Sequence, residues 1–337
     1  MLLPEWYPQS GVQITWPDSQ TDWAPILDEV IPCYAAIARE ILKHEKLLVV
    51  CRNETLARRQ SGCFDNSCAL FFQTPINDTW ARDYAPLSVL EDGRLVLLDF
   101  QFNGWGLKYP ACHDNQITAR FFAGGTVFSP AVTCRDLRPL VLEGGGIETD
   151  GQGTILTTSC CLLSVNRNGF SSKAQAEQSL AAALGAKRFL WLDHGHLIGD
   201  DTDGHIDTLA RFCNEHTIAY VRCTDSTDPH YSDLCLMEQQ LQSFTRSNGQ
   251  PYDLIPLPMP DKVEYNGERL PATYANFLII NGAVLLPFYN CPQDLVARDA
   301  LQCAFPDREI TGIDCRPLVK QHGSLHCITM QYPEGGL

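Results

Sequence analysis

Leu87-Ser88-Val89-Leu90-Glu91-Asp92-Gly93-Arg94-Leu95-Val96-Leu97-Leu98 is two apolar runs hinged on Asp92-Gly93. That is the signature of a β-hairpin, since Asp-Gly is among the pairs that tight two-residue turns accept. The same pattern returns three times. Gly146-Ile147-Glu148 turns at Asp150-Gly151-Gln152-Gly153 into Ile155-Leu156-Thr157. Leu209-Ala210-Arg211-Phe212 turns at Asn214-Glu215 into Ile218-Ala219-Tyr220-Val221. Tyr274-Ala275-Asn276-Phe277-Leu278-Ile279-Ile280 turns at Asn281-Gly282 into Val284-Leu285-Leu286-Pro287.

These turns, at 92, 151, 214 and 281, fall 59, 63 and 67 residues apart. A unit of that size is too long for a solenoid repeat and fits a propeller-like ring of larger blades, roughly five of them in this chain. Helical candidates lie between the hairpins. Residues 25–43 carry apolar positions near a 3.6 period, with Pro32 expected to break or shift the early part. Residues 172–184 open at Ser171-Ser172 and stop at Gly185, and 231–245 and 292–304 are similar. The rhythm of hairpin, helix and strand predicts an α/β fold. With no low-complexity linker, residues 1–337 read as a single closed domain. Val12-Gln13-Ile14-Thr15-Trp16-Pro17 and Cys327-Ile328-Thr329-Met330-Gln331-Tyr332-Pro333 are both alternating and proline-stopped, and a ring needs its first and last units to pair.

Composition narrows the function. Hydrophobic residues at 45% and charged residues at 19% rule out wholesale disorder. The 40 acidic against 25 basic residues leave a net charge of -15. Phosphates of nucleic acid or anionic membrane would be repelled, whereas a small cationic substrate would be drawn in. No apolar run approaches the ~18 residues of a membrane span. Met1-Leu2-Leu3-Pro4-Glu5-Trp6 lacks the basic-then-apolar pattern of a secretory signal. The 15 cysteines include no Cys-x-x-Cys pair, and neither Cys160-Cys161 nor Cys63…Cys68 has zinc-site spacing. A reduced cytoplasmic protein is expected, with most cysteines acting as small core hydrophobes.

Four segments carry the chemistry. Gly199-Asp200-Asp201-Thr202-Asp203-Gly204-His205-Ile206-Asp207 packs four carboxylates and an imidazole into nine residues. If extended after Gly204, it places His205 and Asp207 on one face, an acid/base beside a cation-binding carboxylate. A calcium loop would want a closing bidentate Glu, which is absent. Asn77-Asp78-Thr79-Trp80-Ala81-Arg82-Asp83-Tyr84 crowds polar and aromatic groups before a strand. Leu142-Glu143-Gly144-Gly145-Gly146 suggests backbone passing close to a ligand or another segment, and no Gly-Lys-Ser/Thr follows to make it a phosphate loop. His322-Gly323-Ser324-Leu325-His326-Cys327 puts a thiol at the mouth of the last strand. Zinc ligation by His194, His196, His205 and Cys327 is conceivable, but nothing in their spacing demands it.

Together these segments resemble the agmatine deiminase family, related to the Porphyromonas-type peptidylarginine deiminases of the guanidine-modifying superfamily. The carriers are Trp80-x-Arg82-Asp83, Glu143-Gly144-Gly145, Gly204-His205-Ile206-Asp207 and His326-Cys327-Ile328-Thr329, with Phe102-Asn103-Gly104-Trp105-Gly106 beside them. The resemblance implies a five-bladed α/β propeller (pentein) of ββαβ modules. It implies hydrolysis of agmatine to N-carbamoylputrescine and ammonia, in putrescine and polyamine biosynthesis. It implies Cys327 as nucleophile, His205 as acid/base, Glu143 orienting His205 or contacting the guanidinium as a third acceptor, and Asp83 and Asp207 clamping the guanidinium. Trp80 and Asp201 are candidates for the substrate's tail. Neither metal nor organic cofactor is implied, and no nucleic-acid or membrane partner; assembly into a homo-oligomer is left open. The alternatives are deimination of arginyl peptides or of free arginine. The sequence departs from the family at Ala85 (usually Gly), at the less Gly-rich His322-Gly323-Ser324, and at Asp201 (usually Glu). The last bears on tail selectivity.

Overall fold

The structure, a computed structural model, describes residues 1–62 and 67–337. Cys63 of the Cys63…Cys68 pair lies outside the described residues. Leu87–Glu91 pairs antiparallel with Arg94–Gln101, Glu91 opposite Arg94. The two residues between them, Asp92 and Gly93, sit at φ 48° and 75°, the left-handed pair that a tight hairpin matched to strand twist requires. Helix Ile117–Gly124 then carries the chain back to Thr133–Val141, which lies parallel to Arg94–Gln101.

The unit of antiparallel hairpin, helix and parallel strand recurs. Ile147–Thr149 and Thr154–Thr158 form the next hairpin, and helix Lys173–Leu184 leads to Arg188–Leu192. Ala210–Asn214 and Thr217–Arg222 are followed by helix Tyr231–Ser243 and strand Asp253–Pro258. Leu278–Ile280 and Ala283–Phe288 are followed by helix Gln293–Ala304 and strand Glu309–Asp314. The fifth unit is made from both ends of the chain. Thr329–Pro333 pairs antiparallel with Gln9–Thr15, and helix Leu27–Ile41 leads to Lys46–Cys51, parallel to Gln9–Thr15. Ala69–Gln73 adds a fourth strand there. The expected pairing of first and last segments is therefore present, and the fold is mixed α/β.

Local chemistry accounts for most boundaries. Ser172 accepts from the Gln175 amide and Gly185 closes the same helix at φ 64°, an N-cap and a left-handed C-cap. Central strands such as Ala283–Phe288 are apolar throughout, with Ala283 to Leu286 fully buried, as strands covered on both faces must be. Three expectations need correction. Helix Leu27–Ile41 runs through Pro32, so the proline removes one amide donor without ending it. The fourth hairpin's first strand is only Leu278–Ile280; residues 274–277 are turn and coil, because Asn276 is used elsewhere. Cysteines divide: Cys33, Cys51, Cys161, Cys213, Cys223, Cys315 and Cys327 are buried, while Cys68, Cys112, Cys134, Cys160 and Cys303 are exposed. No helix among the described residues is long and apolar enough to cross a membrane.

Candidate active site

In every unit, the turn just before the hairpin's first strand supplies a side chain or backbone group to one place. The short helix Ala81–Tyr84 precedes Leu87 and bears Asp83. The turn Gly144–Gly146 follows Glu143 and precedes Ile147. His205 caps the turn Ile206–Thr208, which carries Asp207 and precedes Ala210. Asn276 stands before Leu278, and His326-Cys327 before Thr329. The segment from 205 to 207 is a 3-10 turn, not the extended strand expected. Both side chains are nevertheless buried at the same centre.

The contacts show the convergence. Asn276 Nδ2 donates to Cys327 Sγ at 3.2 Å and to the Asp207 carbonyl at 3.2 Å. Asn276 Oδ1 in turn accepts from the His326 and Cys327 amides. Cys327 Sγ lies 3.7 Å from Asp207 Oδ2, and its carbonyl accepts from the Arg82 amide. Asp83 Oδ1 accepts from the Gly145 amide and Oδ2 from the Trp105 indole, each at 2.9 Å. His205 sits between two carboxylates, Nδ1 3.6 Å from Asp83 and Nε2 3.6 Å from Glu143. Only glycine fits at 145, since a Cβ there would stand 2.6 Å from His205 Nδ1 and 2.8 Å from Asp83 Oδ1.

Behind this first ring lies a buried ionic network. His326 Nδ1 meets Asp207 Oδ2 and its Nε2 meets Glu5 Oε2, both at 2.7 Å. Glu5 also pairs with Arg211 at 2.9 Å and Arg82 at 3.5 Å. Arg82 is thus tied into this buried network through Glu5 and is absent from the lining of the pocket that leads to Cys327. Arg167 Nε holds Glu143 at 2.7 Å and its Nη1 reaches Asp203 at 2.7 Å, tying the acidic loop to the Glu143 carboxylate.

Burial sets the protonation states. Burial pushes the Cys327 thiol well above its ordinary range, and Asp207 and Asp83 push it further. Burial lowers the His205 imidazole, but Asp83, Cys161 and Glu143 overcome it and hold the ring well above its usual value. The two flanking carboxylates therefore favour the protonated ring. Burial raises Asp83 to about 6 against the pull of His205. Asp207 is raised by burial, yet the hydrogen bond and charge of His326 bring it below the usual range.

A pocket of about 540 Å³, open at one end, leads to Cys327, His205 and Asp83. Trp80, Trp105 and Tyr109 line it together with Asp22, Asp78, Asp200, Asp201 and His322. The structure thus brings together Cys327, His205, Asp83, Trp80 and Asp201 around the pocket, with Asp207 and Glu143 just behind its surface. His194 is not among them; it pairs with Asp233, so the four-residue zinc set considered above does not assemble. Sequence reasoning missed Glu5, Asn276, Trp105 and Arg167 as site residues. Trp105 alone had a signal, its place in Phe102-Asn103-Gly104-Trp105-Gly106.

The profile of the Porphyromonas-type peptidyl-arginine deiminase family matches residues 1–333. A structure from Porphyromonas gingivalis, provisionally described as an arginine deiminase, is 55% identical, covering 100% of this chain and 99% of that one at a TM-score of 0.94. A cysteine-to-serine variant of the C. jejuni agmatine deiminase with substrate bound is 36% identical, with 99% and 96% covered and a TM-score of 0.92. A Vibrio parahaemolyticus protein, provisionally named an agmatine deiminase, is 35% identical over 351 residues, 98% of this chain and 95% of that protein.

Proposed function

The chain belongs to the Porphyromonas-type peptidyl-arginine deiminase family, and from that premise we propose that it is an agmatine deiminase, converting agmatine and water to N-carbamoylputrescine and ammonia. The names of its relatives divide between arginine and agmatine, so the tail end of the pocket decides. One observation carries the choice. The pocket lining includes Asp22, Asp78, Asp200 and Asp201, with no Arg or Lys among its described residues, and of the four burial raises Asp78 to about 7. Lys108, close by, is spent on the Asp201 carbonyl and the Asp203 carboxylate. An arginine α-carboxylate would meet repulsion there, whereas agmatine's ammonium meets carboxylates and the faces of Trp80 and Tyr109. The same acidity disfavours the peptide carbonyl edge of an arginyl chain.

The mechanism follows from the geometry. The guanidinium lies between Asp83 and Asp207; Asp207 Oδ1 has no hydrogen-bond partner of its own and is free to accept. Bound cation offsets the two carboxylates that hold the Cys327 proton in place, so thiolate forms best with substrate present, its proton leaving to solvent. Sγ attacks the guanidinium carbon, making a C–S bond. The C–N bond to the departing nitrogen breaks, and His205 gives that nitrogen its proton, releasing ammonia. Water then loses a proton to His205 as its oxygen bonds to the amidino carbon. The C–S bond then breaks with its electron pair returning to Cys327, and the hydroxyl on that carbon gives its proton to the departing sulfur, leaving the ureido carbonyl. Glu143 keeps His205 charged and oriented, and Arg167 fixes Glu143.

The five like sheets are read as blades of a closed propeller formed by residues 1–337 as one catalytic domain. A place in putrescine formation and a cytoplasmic location go with that reading, as does the freedom of the chain to form a homo-oligomer. Parallel assays of ammonia release from agmatine, free arginine and a blocked arginyl peptide test it. Turnover confined to agmatine supports the proposal, and turnover of either arginyl compound at equal or greater kcat/KM overturns the substrate.

A further inference from the structure

Cys161 takes no part in the proposed chemistry, yet it is fully buried beside His205, which moves the protons, and Glu143, which orients it. Its Sγ stands 3.9 Å from Glu143 Oε2. The three ligand-type atoms of Glu143, Cys161 and His205 all lie within 4.8 Å of one another. Two atoms of this group are buried without a hydrogen-bond partner, His205 Nε2 and Glu143 Oε1. Both residues are about 1% exposed, and unpartnered buried polar atoms are uncommon enough to call for a reason.

We propose that Glu143, Cys161 and His205 form a binding site for a soft divalent cation, Zn²⁺ being the best fit, and that the cation shuts the enzyme off. The donor set is carboxylate oxygen, thiolate sulfur and imidazole nitrogen, three ligands with a fourth position left for water, as zinc accepts. The surroundings are those a zinc site uses. His205 Nδ1 faces the Asp83 carboxylate, which fixes the ring so that Nε2 can ligate. Glu143 Oε2 is the oxygen that faces Cys161 Sγ and His205 Nε2; Arg167 Nε fixes it there, and Oε1 is without a hydrogen-bond partner. His205 lines the substrate pocket, which gives the ion its way in. Gly146 leaves the room: a Cβ there would stand 3.0 Å from Cys161 Sγ and 4.0 Å from His205 Nε2.

Binding is an exchange of protons for metal. The thiol proton of Cys161 and the imidazolium proton of His205 leave to solvent, and the cation takes their place. His205 then has no proton to give ammonia and no lone pair for water. This rests on the assigned role of His205 for the inhibition, but the binding itself does not.

The experiment separates the two. Co²⁺ is titrated into the inactive Cys327→Ala protein, and the thiolate-to-cobalt charge-transfer absorption is read, with Zn²⁺ competing. The band is expected in the wild type and in Cys327→Ala, and absent in Cys161→Ser. Glu143→Gln in the Cys327→Ala background keeps shape and should weaken Co²⁺ by more than about tenfold, which covers the case of a poorly folding Cys161→Ser. Zn²⁺ should inhibit wild-type turnover at the concentrations that displace Co²⁺. Loss of the band in Cys327→Ala, its persistence in Cys161→Ser, unchanged affinity in Glu143→Gln, or no band in any protein would overturn the site. Co²⁺ binding with turnover unaffected would overturn only the inhibition.

Discussion

The Trp105 indole donates to Asp83 Oδ2 at 2.9 Å, and the backbone is bent out of its ordinary range to let it do so. Gly104, Trp105, Gly106 and Leu107 have φ of 70°, 55°, 81° and 69° in succession, a left-handed turn that two of these side chains resist. Strain of this kind persists where surrounding contacts over-determine it. Here Asn103 caps the turn, and the following Tyr109 and Lys108 bind the 201–203 loop. The turn therefore fixes both Asp83 and the loop that carries Asp201.

Trp105→Phe keeps the ring and removes the donor. A hydrogen bond to an ionised group contributes roughly 1.5–3 kcal/mol, so kcat/KM for agmatine should fall about 10- to 100-fold. Steady-state kinetics check this, with unfolding midpoints near those of the wild type. Unchanged kcat/KM would remove Asp83 positioning from the account.

Gly145→Ala places a methyl where three buried side chains meet, 2.6 Å from His205 Nδ1, 2.8 Å from Asp83 Oδ1 and 3.2 Å from Asp207 Oδ2. Displacements of this order at a catalytic centre cost on the order of 100-fold. Activity assays should show that loss or more, with near-ultraviolet circular dichroism retained.

Glu5 is 8% exposed and bonds His326, Arg211 and the Ile279 amide. Burial works against its charge, but Arg211 and His326 hold its carboxyl far below the usual range. Removing one partner of such a set leaves buried cations uncompensated, so Glu5→Ala should cost roughly 3–5 kcal/mol. The exposed Glu91–Arg135 pair makes the contrast: Glu91→Ala should cost under about 1 kcal/mol. Urea unfolding of the two variants compares them directly.

Activity should fall as pH drops through about 6, because Asp83 is raised to that value by burial and must be ionised to clamp a cation. The acid limb of kcat/KM reports such a group in the free enzyme. Stability moves the other way. Burial raises Asp78, Asp114 and Glu45 each to about 7, so between their unfolded values and 7 the folded state holds more protons. Stability then decreases as pH rises through that window. His230, lowered mainly by burial, opposes this alone, gaining stability as its unfolded form loses a proton. The thermal midpoint should be higher at pH 6 than at pH 8; a flat or rising midpoint would refute the protonated carboxyls.

Much of this was legible in the sequence because the signals are local. Asp92-Gly93 and Asn281-Gly282 mark hairpins, and Ser172 and Gly185 bound a helix, through contacts a few residues long. Pairing of the two ends followed from matching alternation in residues 12–17 and 327–333. The missed partners are products of closure. His326 reaches Glu5 across 321 positions, and no spacing rule joins residues so far apart. The placement of His205 and Asp207 on one face was reached from a strand that is in fact a 3-10 turn, so that agreement owes nothing to the periodicity.

The central claim is a covalent bond between Cys327 and the amidino carbon, and it can be weighed. Enzyme turning over agmatine is quenched in acid, digested and analysed by mass spectrometry. The account predicts an adduct with the mass of agmatine less ammonia on the peptide bearing Cys327, and no turnover by Cys327→Ala. Turnover that survives in Cys327→Ala, or an adduct confined to another residue, would contradict it.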